Sequence, residues 1–218
     1  MFVVEKAPKS VVSEAYKVLR TNIQYSSIDK KMKVILVTSS EPGEGKSTTS
    51  GNLAVSLGHD GKRVLIIDCD LRKPSIHKLF NQSNTVGLSE VLVGKEELAV
   101  AIKNYDKNID VLTSGNIPPN PSEMLGSEAM ENLLIDLREQ YDHIILDSPP
   151  TNLVSDSQVL SIKADGTLLV VRAEKTKRES IKMAKEKIER VNGKIIGSIL
   201  NVTSTKNEEY YYYYGDDK

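Results

Sequence analysis

The sequence predicts an α/β domain with a mostly parallel central sheet and helices on both faces. Short β-branched runs, apolar on both faces, alternate with amphipathic segments of helical period. Three of those runs end in a glycine-rich turn or in acidic residues, the position where parallel sheets hold ligands.

A length of 218 residues suits one large α/β domain better than two small ones, and 39% hydrophobic residues supply a substantial core. The 29 Lys and Arg nearly balance the 30 Asp and Glu, which gives no general attraction to nucleic acid or to an anionic membrane. Cys69 is the single cysteine, so no intramolecular disulfide forms, and a reducing, cytoplasmic setting fits. No basic-then-apolar leader opens the chain, and no run reaches the ~18 apolar residues of a membrane span. Membrane contact is therefore expected through a partner and not by direct insertion.

In chain order, residues 13–25 read as a helix with Ser13 as its N-cap, and residues 33–38 as the first strand. A helix follows over 47–59 and a strand over 64–68. Residues 81–108 have no clear period, and short helices are expected there. Strands then fall at 109–113, 144–147, 166–172 and 195–200, with helices at 127–141 and 175–192 between them. Residues 1–202 form the expected domain, and 203–218 an expected flexible, tyrosine-rich tail without a core pattern.

After the first strand comes Ser40-Glu41-Pro42-Gly43-Glu44-Gly45-Lys46-Ser47-Thr48, a phosphate loop in the required strand–loop–helix setting. Pro42, Gly43, Glu44, Gly45, Lys46, Ser47 and Thr48 are the expected nucleotide-binding residues. The glycines let backbone N–H groups turn toward phosphates, and the next helix adds its N-terminal dipole. Lys46 reaches the β- and γ-phosphates, and the Ser47 hydroxyl is a Mg²⁺ ligand. The fold class is thus a P-loop NTPase fold. Two further strands end in acids: Val64 to Asp68, followed by Asp70 and Arg72, and Ile144 to Asp147. Acids there lie beside the phosphate loop, able to hold Mg²⁺ or to take a hydroxyl proton.

Together the three motifs resemble the bacterial tyrosine kinases of capsule and exopolysaccharide synthesis, over nearly the whole chain. In that family's terms 40–48 is Walker A, 66–72 the Walker A′ motif and 144–150 Walker B. The resemblance implies Mg·ATP as the cofactor pair, Ser47, Asp70 and Asp147 around Mg²⁺, and Asp68 as base for an incoming tyrosine, with Lys46 on the phosphates. Exchange of Asp68 and Asp70 is an alternative assignment. By analogy Asn201 lies near adenine, and Arg72 and Arg172 touch phosphates or pair with acids. Partitioning ATPases carry a second lysine early in the loop; the matching residue here is Glu41.

Two more features match. The family has a C-terminal tyrosine cluster, here Tyr210, Tyr211, Tyr212, Tyr213 and Tyr214, which become the expected phosphoacceptors. Its N-terminal helix carries Glu-x-x-Arg-x-x-Arg for ring assembly; here the residues are Glu14, Lys17 and Arg20, with Lys in the middle place. The resemblance also implies a homo-oligomeric ring, a transmembrane adaptor that activates the kinase, an opposing tyrosine phosphatase, and recruitment from the cytoplasm to the inner membrane face. The rival readings are a partitioning-type ATPase switch with no phosphoprotein product, and a binding module whose nucleotide is structural.

Overall fold

The computed structural model describes residues 2–25 and 32–202. The chain opens with α1 (Val3–Lys6) and α2 (Val11–Tyr25), followed by β1 (Val34–Ser39), α3 (Lys46–His59) and β2 (Val64–Asp68). Short helices α4 (Ile76–Leu79), α5 (Leu88–Leu92) and α6 (Leu98–Ala101) lead into the hairpin of β3 (Ile102–Asp106) and β4 (Ile109–Leu112). Then come α7 (Pro121–Gly126), α8 (Glu128–Gln140), β5 (His143–Asp147), α9 (Asp156–Lys163), β6 (Gly166–Arg172), α10 (Arg178–Arg190) and β7 (Ile195–Asn201).

These strands form one seven-stranded sheet in the order β3-β4-β2-β5-β1-β6-β7. Every pairing is parallel except β3 with β4. The central strands are buried along their whole length, which is why they read as unbroken apolar runs. Alternate residues split them between two cores. Ile35, Val37, Ile66 and Ile145 pack with Leu53, Ala54 and Leu57 of α3, while Leu36, Leu65, Ile67 and Leu146 pack with Leu133, Leu134 and Leu137 of α8.

The parallel sheet and the four long helices match the sequence reading. Three details differ. Ser10, not Ser13, caps α2: its hydroxyl oxygen accepts from the Ser13 N–H at 3.2 Å. The Ser13 hydroxyl is turned inward instead and donates to the Ala7 and Val3 carbonyls at 2.7 and 3.2 Å. Residues 81–108 hold short helices as expected but also β3, an antiparallel edge strand that is only half buried and carries a bulge near Tyr105. Its IKNYD sequence lacks the apolar run that marks the inner strands. Helices α7 and α9 are also present where the sequence period gave no signal.

Tyrosines 210–214 and the rest of the expected tail lie outside the described residues. Among the described residues, no helix is long and apolar enough to cross a membrane.

Candidate active site

The carboxyl ends of β1, β2 and β5 lie side by side, and each delivers one part of the site. From β1 the chain turns through the phosphate loop into α3. Gly45 sits at the N-cap of α3 with φ +91°, in the left-handed region that suits glycine. The positive end of the α3 dipole therefore faces the hollow of the loop.

From β2 and β5 come Asp68 and Asp147, which are in register on neighbouring parallel strands. Both are fully buried. Asp70, two residues further, is 4% exposed and pairs with the Lys46 ammonium at 3.1 Å. Lys46 Nζ also lies 3.2 Å from the Ser47 hydroxyl. Residues that the sequence placed together as Lys46, Ser47, Asp68, Asp70 and Asp147 thus occupy one site.

Each acid is held differently. The Asp68 carboxylate accepts three backbone N–H groups, from Asp70, Ser75 and Ile76. This winds the Walker A′ turn around it. Burial, with the neighbouring Asp147 charge, still pushes its pKa up from the usual carboxylate range. Asp147 is likewise pushed up by burial, although Lys46, Ser47 and Ser50 work against the shift. Its Oδ1 accepts from the Ser50 hydroxyl at 2.9 Å, while Oδ2 has no hydrogen-bond partner. Burial alone would lower the Lys46 pKa, but the charges of Asp147, Asp70 and Asp68 more than offset it and raise it. Cys69, between two acids, is buried, and burial pushes its thiol up into a neutral state.

One ammonium among three carboxylates leaves negative charge in excess, and a buried carboxylate oxygen stands unpartnered. That donor set fits a hard divalent cation. Among the described residues no three His, Cys, Asp or Glu side chains form a metal cage. Mg²⁺ needs none, since it takes one or two carboxylates and fills its octahedron with water and phosphate oxygens. Asp70, Asp147 and Ser47 are the oxygen donors of this site that could hold it.

The arginines separate. Arg72 forms a two-pronged pair with the fully buried Asp156 at 2.9 and 3.1 Å, so it pairs with an acid. Arg172 donates to the Gly43 carbonyl at 3.1 Å, and Asn201 donates to the Glu44 carbonyl at 3.0 Å. Glu44 itself is 2% exposed, its carboxylate taken up inside the protein. In the N-terminal stripe, Glu14 and Lys17 pair with each other at 2.6 Å on the surface. Arg20 departs from them: it donates to the Ser56 carbonyl at 3.0 Å and pairs with Asp60 at 3.3 Å, anchoring α2 to the carboxyl end of α3.

Sequence reasoning missed Ser50 and Thr176. Ser50 lies one helical turn beyond Lys46, a spacing that could have pointed to the same face. Thr176 lies in the turn after β6 and carries no sequence signal.

A family profile described as "AAA domain" matches residues 32–201. The chain is 46% identical over 205 residues to "Tyrosine-protein kinase YwqD" of Bacillus subtilis (strain 168), covering 93% of this chain and 86% of that one. It is 39% identical to "Putative tyrosine-protein kinase CapB" of Staphylococcus aureus, covering 98% and 95%. Among solved structures it is similar to "The kinase domain of Escherichia coli tyrosine kinase ETK". That match has a TM-score of 0.91 at 34% identity, over 95% of this chain and 82% of that one.

Proposed function

The chain belongs to the bacterial tyrosine-protein kinases, and on that premise we propose that it transfers the γ-phosphate of ATP to tyrosine hydroxyls, including its own Tyr210, Tyr211, Tyr212, Tyr213 and Tyr214. The observation that carries this reading is the convergence of Lys46, Asp68, Asp70 and Asp147 beneath one phosphate loop.

Phosphoryl transfer rests on positioning and charge neutralisation more than on covalent chemistry. Lys46 and the loop amides hold the β- and γ-phosphates. Asp70, Asp147 and Ser47 hold Mg²⁺, which when bound neutralises charge on the phosphates. Asp68 takes the proton of the incoming phenol. Its raised pKa makes it a stronger base than an ordinary aspartate, which matters against a tyrosine hydroxyl of pKa about 10.

The tail is the better acceptor on chemical grounds too. The Tyr105 hydroxyl donates to Glu5, and burial and that contact push its pKa up to about 12. Burial and a bond to Asp110 also raise Tyr141. Neither phenol gives up its proton readily.

The family resemblance extends the proposal to cell function. The chain acts in the cytoplasm as a ring of like subunits, brought to the inner membrane face by a transmembrane adaptor that activates it. A tyrosine phosphatase reverses the modification, and the output is control of capsular or exopolysaccharide synthesis or export. Exposed Glu14 and Lys17 are the part of the N-terminal stripe available to a neighbouring subunit.

The test is incubation of the purified chain with Mg²⁺ and γ-labelled ATP, then phosphoamino-acid analysis and peptide mass spectrometry. Phosphotyrosine at 210–214 is the expected result. Label mainly on Tyr16, Tyr25, Tyr105 or Tyr141 would overturn the tail assignment. Free phosphate with no phosphotyrosine would instead favour the ATPase switch.

A further inference from the structure

The β6–β7 side of the molecule grips two consecutive residues of the phosphate loop at three points. Arg172, at the end of β6, donates to the Gly43 carbonyl at 3.1 Å. Asn201, at the end of β7, donates to the Glu44 carbonyl at 3.0 Å. Thr176, in the turn after β6, donates its hydroxyl to the Glu44 carboxylate.

The grip is closed on every side. The Glu44 carboxylate also accepts from the Ser40 hydroxyl and, at 3.0 Å, from the Glu41 N–H. The Thr176 oxygen in turn accepts from the Arg172 N–H at 3.0 Å, which fixes the direction in which its proton points. Asn201 lies so close that a Cβ on Gly45 would come within 1.9 Å of its amide nitrogen. A side chain there would displace Asn201 and would strain a backbone held at φ +91°.

Peptide planarity converts these contacts into an orientation. In a trans peptide the N–H points opposite to the C=O of the same plane, and the structure has no cis bond among the described residues. Holding the Gly43 carbonyl toward Arg172 therefore turns the Glu44 N–H away from β6. Holding the Glu44 carbonyl toward Asn201 turns the Gly45 N–H away from β7. These two amides belong to the loop that binds phosphates in the reading above.

The geometry points to Arg172, Thr176 and Asn201 as positioning residues of the phosphate loop, acting through Glu44 and the Gly43–Glu44 and Glu44–Gly45 peptide planes to aim backbone N–H groups at the nucleotide's phosphates. Glu44 is on this account an internal strut, although its sequence position suggested a ligand contact. The inference rests on the nucleotide-binding reading and adds to it which residues outside the motif set the loop's affinity.

Titration of MgATP onto wild type, Thr176→Val, Thr176→Ser and Arg172→Met tests it. Thr176→Val keeps the shape and deletes the hydroxyl. It should weaken MgATP binding about tenfold at a temperature well below its unfolding midpoint. Thr176→Ser restores the donor and should bind within about twofold of wild type, a rescue that a general loss of stability would not show. Arg172→Met, on the surface, should weaken binding several-fold and serves if the valine variant does not fold. Folded Thr176→Val or, failing it, Arg172→Met binding MgATP as wild type does would overturn the positioning role. A wild type that binds no MgATP would overturn the nucleotide reading itself.

Discussion

The two edges of the same sheet treat aspartate in opposite ways. At the amino edge, Asp165 precedes β6 and is fully paired. It accepts the Lys33 and Val34 N–H groups at 2.9 and 2.8 Å and both arms of Arg138 at 2.9 Å. Burial alone would raise its pKa, but these partners outweigh burial and lower it. At the carboxyl edge, Asp68, Asp70 and Asp147 share one lysine, and burial pushes Asp68 and Asp147 up. A paired acid stabilises the fold. A crowded one destabilises it and holds electrostatic energy that a bound cation and phosphate chain can release.

The contrast breaks most sharply at Lys46. Lys46→Met removes the ammonium that Asp68, Asp70 and Asp147 share and should lower phosphotyrosine formation by about 10²–10³-fold, measured by initial rates. The fold should persist, because Lys46 serves the ligand. Near-wild-type rates would show that the carboxyl edge is not the site of transfer.

At the other edge the effect should fall on stability alone. Asp165→Asn keeps the shape but loses the charge that Arg138 meets. It should lower unfolding free energy at pH 7 by about 1–2 kcal/mol in denaturant titration, with turnover unchanged. The sign with pH follows from the lowered folded pKa. This contribution is present above the ordinary carboxylate pKa of about 3.9 and is lost as pH falls through the folded value below it. Wild type and variant should therefore converge in acid.

A subtler consequence concerns the pH profile of kcat/KM. A base must be ionised to act, so activity should fall as pH drops through the raised Asp68 pKa, above the ordinary range near 4. An acid limb at or below about 4 would assign the role to a group with an ordinary or lowered pKa.

Much of this arrangement was legible in the sequence. Buried parallel strands announce themselves by apolar residues on both faces, as in VILVTS and VLIID. Because ligands sit at the carboxyl ends of such strands, the acids there read directly as a site. What was not legible depends on contacts distant in sequence. The bond from Thr176 to Glu44 spans 132 residues, and that from Asn201 to the same residue spans 157. Arg20 was read with Glu14 and Lys17 from the family's motif, and its contacts with Ser56 of α3 and with Asp60, just past the end of α3, carried no local signal. Edge strand β3 escaped because half-buried, mixed residues give no run and no clean alternation.

The central claim is that the carboxyl-edge acids are kept for a ligand at the expense of the empty fold. Asp147→Asn tests it most directly, through thermal unfolding of nucleotide-free protein at pH 8 and at pH 5. A folded pKa above the unfolded one means that wild-type stability is fully present below about 3.9 and is lost as pH rises through the folded value. The asparagine escapes that loss and can still accept from Ser50. The account predicts a variant that is inactive yet more stable than wild type at pH 8, by about 1.4 kcal/mol for each unit of the shift, with the gain shrinking at pH 5. A variant equally or less stable than wild type at pH 8 would contradict it.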